Sequence, residues 1–316
     1  MFINQFQAII TKRVCFQMVV ENLKWRVRRA KYWLRSIAAV RDQKKTGIAR
    51  PNCPLCGSIL EITENKLGVH SEGVLCYRCG CNARNRFFYA VLNDIIEELS
   101  CTSHGSRELQ MLEASSYGYA MMGARYVDRM KDKGVHVLCA DYNESNYKSV
   151  VKEDISALSF EDNSFDIMCH SHVLEHVQDD LRALKEGMRC LKPGGVMLIG
   201  VPIQTDFTFM PEGEYHGDNA YVYRRNGWDL IGKIKEMGFY VEVRVPPEHV
   251  SLSPDSVVAP DSLVLDDIRF VDKFGPNYFR YRDLFHPAFT KSESQEQWFD
   301  KLWAQLELFV VRKPCL

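Results

Sequence analysis

No apolar run in this sequence approaches the roughly 20 residues that cross a bilayer. A membrane-spanning protein is therefore not expected. The first 30 residues lack the unbroken apolar core of a secretory leader, because Lys12, Arg13 and Glu21 interrupt them. Internal repeats and low-complexity tracts are missing too. Net charge is almost absent, at −1, while 46% hydrophobic and 26% charged residues are ordinary for a globular chain. A wholly disordered protein, a collagen-like repeat and a small disulfide scaffold are all excluded. The length of 316 residues suits two domains, or one long α/β domain with an appendage.

The small net charge hides an asymmetry. Residues 1–50 carry twelve Lys or Arg against Glu21 and Asp42, a net of +10, so the rest of the chain carries −11. Within residues 12–41, Val19, Leu23, Val27, Ala30, Leu34 and Ile37 recur at helical spacing. Arg26, Arg28, Arg29, Lys31 and Arg35 crowd the other sides. A basic amphipathic helix of this kind suits an anionic membrane surface, a partner chain, a nucleic-acid backbone or a docking face on its own domain. The expected location is cytoplasmic, with this helix able to hold the chain at a membrane.

Cysteine is not scarce: there are eleven, and four form the pairs Cys53-x2-Cys56 and Cys76-x2-Cys79. A C-x2-C turn aims two thiolates at one ion, and two such turns complete a tetrahedral zinc site. Pro54, Gly57 and Gly80 supply the turn chemistry. Four protein ligands close the coordination shell, so the zinc would be structural. An iron–sulfur cluster or a redox dithiol is the competing reading; Cys81 and His70 are spare donors nearby. The lone cysteines read as buried or free thiols. Residues 46–52 and 101–107 read as linkers. A helix is expected from Asn82, with Phe87, Val91 and Ile95 on one side; Arg84 and Arg86 are solvated or tie this module to the next domain.

From residue 109 short apolar strands alternate with amphipathic helices, the mark of βαβ units and a parallel sheet. Expected strands are Leu109–Ala114, Val135–Ala140, Phe165–His170 and Val196–Val201, then Phe239–Val245 and Leu306–Val311. The first strand runs through Glu113, Ala114, Ser115, Ser116 and Tyr117 to Gly118, a nucleotide-binding geometry that holds one glycine only. Asp141 closes the second strand, where an acid can accept from a ribose diol. After His176 a helix is expected, with Val177, Leu181, Leu184, Met188 and Leu191 on its apolar side and Lys192-Pro193-Gly194-Gly195 as its stop. Glu175 is a candidate cap for that helix.

The ordered set SALSFEDNSFDIMCHSHVLEHVQDD and LKPGG resembles the class I S-adenosylmethionine (SAM)-dependent methyltransferases, in the branch with an LEH turn and an LKPGG turn. The resemblance covers about residues 109–245 and the last strand. It implies an α/β fold: a seven-stranded Rossmann-like sheet with helices on both faces and an antiparallel last strand, preceded here by the basic helix and a small zinc ribbon. It implies domains at 1–50, 51–100 and 105–316, with an insertion at about 246–304. By the same resemblance Glu113 supports the amino end of the methionine moiety, and Ser115, Tyr117 and Gly118 form the turn beneath it. Asp141 takes the ribose, Asp154 and Ile155 face the adenine, and His170 and Ser171 line the exit near the sulfonium. Ser115 and Tyr117 depart from the glycines of the pattern.

Methyl transfer from a sulfonium needs alignment and exclusion of water, and a base only if the acceptor must lose a proton. The candidate bases are His172, then Glu175 and His176. No Asn-Pro-Pro-Tyr-like motif comes after the fourth strand, which argues against exocyclic base nitrogens as acceptors. His216, Tyr221, Tyr223, Arg224 and Arg225, with Tyr278, Phe279, Tyr281, Phe285 and His286 of the insertion, are expected to shape the acceptor pocket. Aromatics with arginines suit a sugar, a phosphorylated lipid-linked glycan or a nucleobase. Three functions are compatible with these features: a methyltransferase for a small molecule or saccharide, an RNA methyltransferase that grips phosphates through ribbon and basic helix, and a non-catalytic scaffold.

Overall fold

The computed structural model describes residues 53, 55–58, 78–79, 83–102, 107–115, 124–143, 149–205, 207–216, 220–245, 268–270 and 308–315. The basic segment 12–41, Cys76, Tyr117, Gly118 and the aromatics of the insertion lie outside the described residues.

Ten strands are described: β1 (Leu109–Ala114), β2 (Val135–Asp141), β3 (Val150–Lys152), β4 (Phe165–Ser171), β5 (Leu191–Gly200), β6 (Ile203–Thr205), β7 (Asn226–Gly227), β8 (Tyr240–Val245), β9 (Ile268–Phe270) and β10 (Leu308–Arg312). The helices are α1 (Ala83–Thr102), α2 (Ala124–Lys131), α3 (Asp180–Cys190) and α4 (Asp229–Glu236), with a 3-10 turn at Leu174–His176. The main sheet runs β3-β2-β1-β4-β5-β10-β8-β9. Strands β3, β2, β1, β4 and β5 pair in parallel, and β10 is antiparallel to both β5 and β8. This is the expected seven-stranded methyltransferase sheet. The insertion adds an eighth, β9, parallel to β8 at the edge.

Period-2 alternation sorts the sheet into two faces. Met111, Val137, Cys139, Ile167, Cys169, Val196, Leu198, Leu308 and Val310 join one core with α1 and α2. Leu112, Ala114, Ala140, Met168, Met197, Ile199, Phe309 and Val311 join the other with α3 and α4. Continuous apolar strands of this type are buried on both sides. The first core also takes in Cys53, Leu55, Cys56 and Cys79, so the first cysteine turn packs into the same core as the sheet. Gly187 allows α3 to lie close: a Cβ there would stand 2.4 Å from Met197 Cε and 2.9 Å from Met168 Sδ.

Helix α3 starts later than the apolar spacing suggests. Asp179 is its N-cap, accepting from the Arg182 amide at 2.9 Å, so Val177 precedes the helix and Glu175 does not cap it. Leu181 is exposed, and Leu191 is already the first residue of β5. At the far end of β4 from the site, the Asp166 carboxylate gathers Lys192, the Gln110 amide and Arg107.

Candidate active site

The strand order reverses between β1 and β4, and in such sheets ligands lie beyond the carboxyl ends at that point. Here the two strand ends and α1 enclose a cleft lined by Asn85, Phe88, Tyr89, Glu113, Ser115, His170 and Ser171. Asn85, Phe88 and Tyr89 fall at i, i+3 and i+4, so α1 presents them on one face. None of the three stands out in the sequence as a site residue, although this spacing could have grouped them.

Glu113 is buried, and the Tyr89 hydroxyl donates to its Oε1 at 3.1 Å. Its in-register neighbours are Cys139 on β2 and Cys169 on β4. Burial, then the charge of Glu113, pushes both thiols up, as it does the Tyr89 phenol. These thiols stay protonated and act as core residues, as expected for the lone cysteines. Ser115 has φ +86°, a left-handed conformation that glycine adopts freely. At Ser115 the backbone is thus glycine-like without the glycine.

Asp141 ends β2, where its Oδ1 accepts from the Asn143 amide at 3.0 Å. Beyond the end of β3, Asp154 Oδ1 accepts from the amide and hydroxyl of Ser156 at 2.8 and 2.7 Å, and Ile155 is buried. His170 is buried with its Nδ1 unpartnered among the described residues. Burial lowers its pKa to about 4 against a partial opposing pull from Glu175, so the ring is neutral at pH 7. Ser171 and His172 come next at the strand exit, and the His172 amide donates to Gly200 O at 2.7 Å.

His172 sits in the left-handed region, with φ +56°. Its Nε2 faces Arg84 Nη1 at 2.9 Å and its Nδ1 faces Glu175 Oε1 at 3.3 Å. Guanidinium can only donate, so Nε2 accepts and the ring proton lies on Nδ1, toward Glu175. Burial works to raise the Glu175 pKa, but the facing Nδ1–H of His172 outweighs it and holds the carboxyl low. Arg84 thus links α1 to the turn after β4.

His176 Nδ1 lies 2.7 Å from Tyr221 O, and its ring meets His216 edge-to-face at 4.7 Å. Tyr221 stacks edge-on with Tyr215 and Tyr223. The two arginines expected in the acceptor pocket are spent elsewhere. Arg224 is buried, paired with Asp180 and donating to Val177 O and Gln178 O at 2.7 and 2.6 Å. Arg225 pairs with Glu214. The Arg224 side chain fastens this loop to the segment between the 3-10 turn and α3.

The cysteine turn is well formed. The Gly57 amide donates to Cys53 O at 2.8 Å and the Cys53 amide to Ser58 O at 2.7 Å. The sulfurs of Cys53, Cys56 and Cys79 all lie within 4.8 Å of one another, with Cys53 and Cys79 3.7 Å apart. Tetrahedral zinc with bonds of about 2.3 Å would set its sulfurs roughly 3.8 Å apart, so the three thiols fit such an ion. Arg129 of α2 donates to Leu55 O and Cys56 O at 3.1 and 2.8 Å, fastening the turn to the domain.

Residues 118–199 match the family model described as a methyltransferase domain. A probable S-adenosylmethionine-dependent methyltransferase of Mycolicibacterium smegmatis is 27% identical over 124 residues, covering 36% of this chain and 48% of that protein. A ubiquinone/menaquinone biosynthesis C-methyltransferase of Shewanella sediminis is 28% identical over 134 residues, covering 35% and 53%. The chain thus spans about half the length of the curated relatives it matches. Among solved structures, a SAM dependent methyltransferase from Aquifex aeolicus overlays with a TM-score of 0.34 at 16% identity, covering 50% of this chain and 82% of that one, a likeness too distant to carry weight. The family match and the curated relatives support a class I SAM-dependent methyltransferase domain.

Proposed function

We propose that the protein is a SAM-dependent methyltransferase acting on a small organic acceptor. The observation that carries this reading is the cleft between β1, β4 and α1, at the reversal of a methyltransferase-type sheet, within or beside the matched segment. Glu113, Ser115, Tyr117 and Gly118 would hold the methionine end, Asp141 the ribose, Asp154 and Ile155 the adenine, and His170 and Ser171 the sulfonium end. The buried, unpartnered Nδ1 of His170 is the sort of polar atom such a ligand satisfies.

SAM supplies a methyl group on a sulfonium, with a neutral thioether as leaving group. The chain's own task is alignment and dryness: Phe88 and Tyr89 wall the cleft. Because Arg224 and Arg225 are committed to carboxylates, a phosphorylated or glycolipid acceptor loses the support those residues lent it. Zinc on Cys53, Cys56, Cys79 and Cys76 would be structural, bracing α1 against the sheet.

The test is calorimetric binding of SAM and S-adenosylhomocysteine (SAH) to metal-replete protein. Micromolar binding weakened at least tenfold by Asp141→Ala is expected. No binding of either ligand to folded protein would sink the reading.

A further inference from the structure

We propose that α1 completes the cofactor site: Tyr89 positions the Glu113 carboxylate for the ammonium group at the methionine end, and Asn85, one turn earlier, takes the carboxylate beside that ammonium. The inference rests on the methyltransferase reading above and deepens it.

The sheet decides which end of the cofactor the cleft receives. In the order β3-β2-β1-β4, β2 and β3 lie on one side of β1 and β4 lies on the other. Asp141 ends β2 and Asp154 follows β3, so a nucleoside held by them occupies the β2–β3 side. The cleft draws on β1, β4 and α1 and, among the described residues, on nothing from β2 or β3. It therefore receives the far end of such a ligand, which in SAM is the amino-acid end.

The charges of the cleft suit a zwitterion. Among the described residues that line it, Glu113 is the one carboxylate, and none is a lysine or arginine. His170 adds no positive charge at pH 7, since burial holds its pKa at about 4. At the positions paired with Glu113 stand the thiols Cys139 and Cys169, which burial keeps protonated. A ligand cation is thus drawn to Glu113, and a ligand carboxylate has to be met by neutral donors.

Helix α1 serves both ends of the zwitterion. A carboxylate can only accept, so the Tyr89 phenol donates to Glu113 Oε1, at 3.1 Å. Tyr89 is 3% exposed, and its ring meets Phe88 and Tyr126 edge-on, each at 5.7 Å between centroids. The hydroxyl is thereby fixed, and with it the plane of the carboxylate. Two carboxylate oxygens offer about four acceptor positions, enough for Tyr89 and an ammonium together. Asn85 precedes Tyr89 by four residues, so their Cβ atoms stand about 5–6 Å apart on one face. It is buried at the cleft wall, and its carboxamide carries two N–H donors. Of the neutral donors in the cleft, Asn85 is the one that shares a helix face with Tyr89. In the ligand the ammonium and the carboxylate likewise sit side by side, on one carbon.

The test is calorimetry on the full-length, metal-replete chain. It compares SAH with 5′-methylthioadenosine, which has the same nucleoside and sulfur but no amino-acid end. Wild type should bind SAH more tightly by about tenfold or more. Tyr89→Phe should weaken SAH about tenfold and Asn85→Ala about fivefold, each leaving 5′-methylthioadenosine within about twofold. A residue that only holds the fold would move both ligands together. On a Glu113→Gln background Tyr89→Phe should cost SAH less than about threefold, because it acts through that carboxylate. Equal loss of both ligands in Tyr89→Phe, unchanged SAH binding there, or the full loss repeated on the Glu113→Gln background would overturn the proposal. Wild-type SAH affinity in Asn85→Ala overturns the carboxylate contact alone. Equal wild-type affinity for the two ligands overturns both contacts, since the amino-acid end then goes unheld. Absence of binding by either ligand to folded wild-type protein overturns the methyltransferase reading beneath it.

Discussion

Arg84 Nη1 donates to His172 Nε2 at 2.9 Å, joining residues 88 positions apart in the chain. The helix that begins after Cys79 therefore reaches the turn after β4 directly. Tyr89 makes a second link farther along α1, to Glu113. Between them, α1 is tied to the end of β1 and to the turn after β4, and the cysteines Cys53, Cys56 and Cys79 share its core.

Replacing Arg84 with methionine keeps the apolar stem and removes the donor. Hydrogen bonds to charged groups contribute about 1.5–3 kcal/mol, less where a group is partly solvated. Arg84 is half-buried, so a loss of about 1 kcal/mol in urea unfolding is expected. The more specific readout is the imidazole of His172: nitrogen-15 NMR should show Nε2 losing its acceptor hydrogen bond while Nδ1 remains protonated toward Glu175. An unchanged His172 spectrum would mean that the contact is not kept in solution.

The cysteine turn makes a separate prediction. Cys53, Leu55, Cys56 and Cys79 belong to the same apolar core as α1, β1 and β2. Metal loss should therefore destabilise the whole domain instead of releasing a tethered module. One zinc per chain is expected by elemental analysis. Cys56→Ser should remove it, lower global stability by about 3 kcal/mol and weaken SAH binding through α1. A metal-free variant with unaltered unfolding would show that the thiols pack without an ion.

The main strands are legible in the sequence because apolar residues dominate them, and because turn signals bound them. The start of α3 escapes that reading for a physical reason. Val177 and Leu181 carry helical spacing, but Asp179 supplies the cap, and a capping oxygen outweighs one apolar residue. Glu175 resembles a cap since it is an acid near a helix; in three dimensions it is the buried partner of His172. Strand β9 cannot be read because three residues carry no periodicity. Arg224 and Arg225 look like ligand binders because a sequence does not reveal that Asp180 and Glu214 will arrive beside them. Ser115 and Tyr117 look like a broken fingerprint, yet Ser115 adopts the glycine-like φ.

His170 gives the chain a measurable pH dependence. Burial holds its folded pKa at about 4, while an unfolded histidine titrates near 6.5. Between those values the unfolded state binds more protons, so stability rises with pH through the window and falls on acidification. The difference of about 2.5 pH units corresponds to about 3 kcal/mol, lost in full only below pH 4. Urea midpoints from pH 7 to 4 should decline in wild type, and His170→Asn should flatten the slope by close to one proton. Glu175 contributes at lower pH, because its folded pKa is depressed: its stabilisation disappears as pH falls below the ordinary carboxyl range. Equal slopes for wild type and variant would place His170 in contact with water.

Arg224 separates a structural arginine from a ligand-binding one. It is 3% exposed, pairs with Asp180 at the first turn of α3 and donates to two carbonyls that precede the helix. Arg224→Met would strand the Asp180 carboxylate in a buried setting, which costs about 3–5 kcal/mol for a broken buried pair. Pairing that change with Asp180→Asn removes the stranded charge and should recover about half of the loss. An arginine that held an acceptor would behave otherwise: its removal would raise KM for the acceptor with little effect on unfolding. Thermal unfolding of the single and double variants, read beside the SAH affinity of each, decides between the two, and dominance of stability over affinity is the outcome the geometry requires.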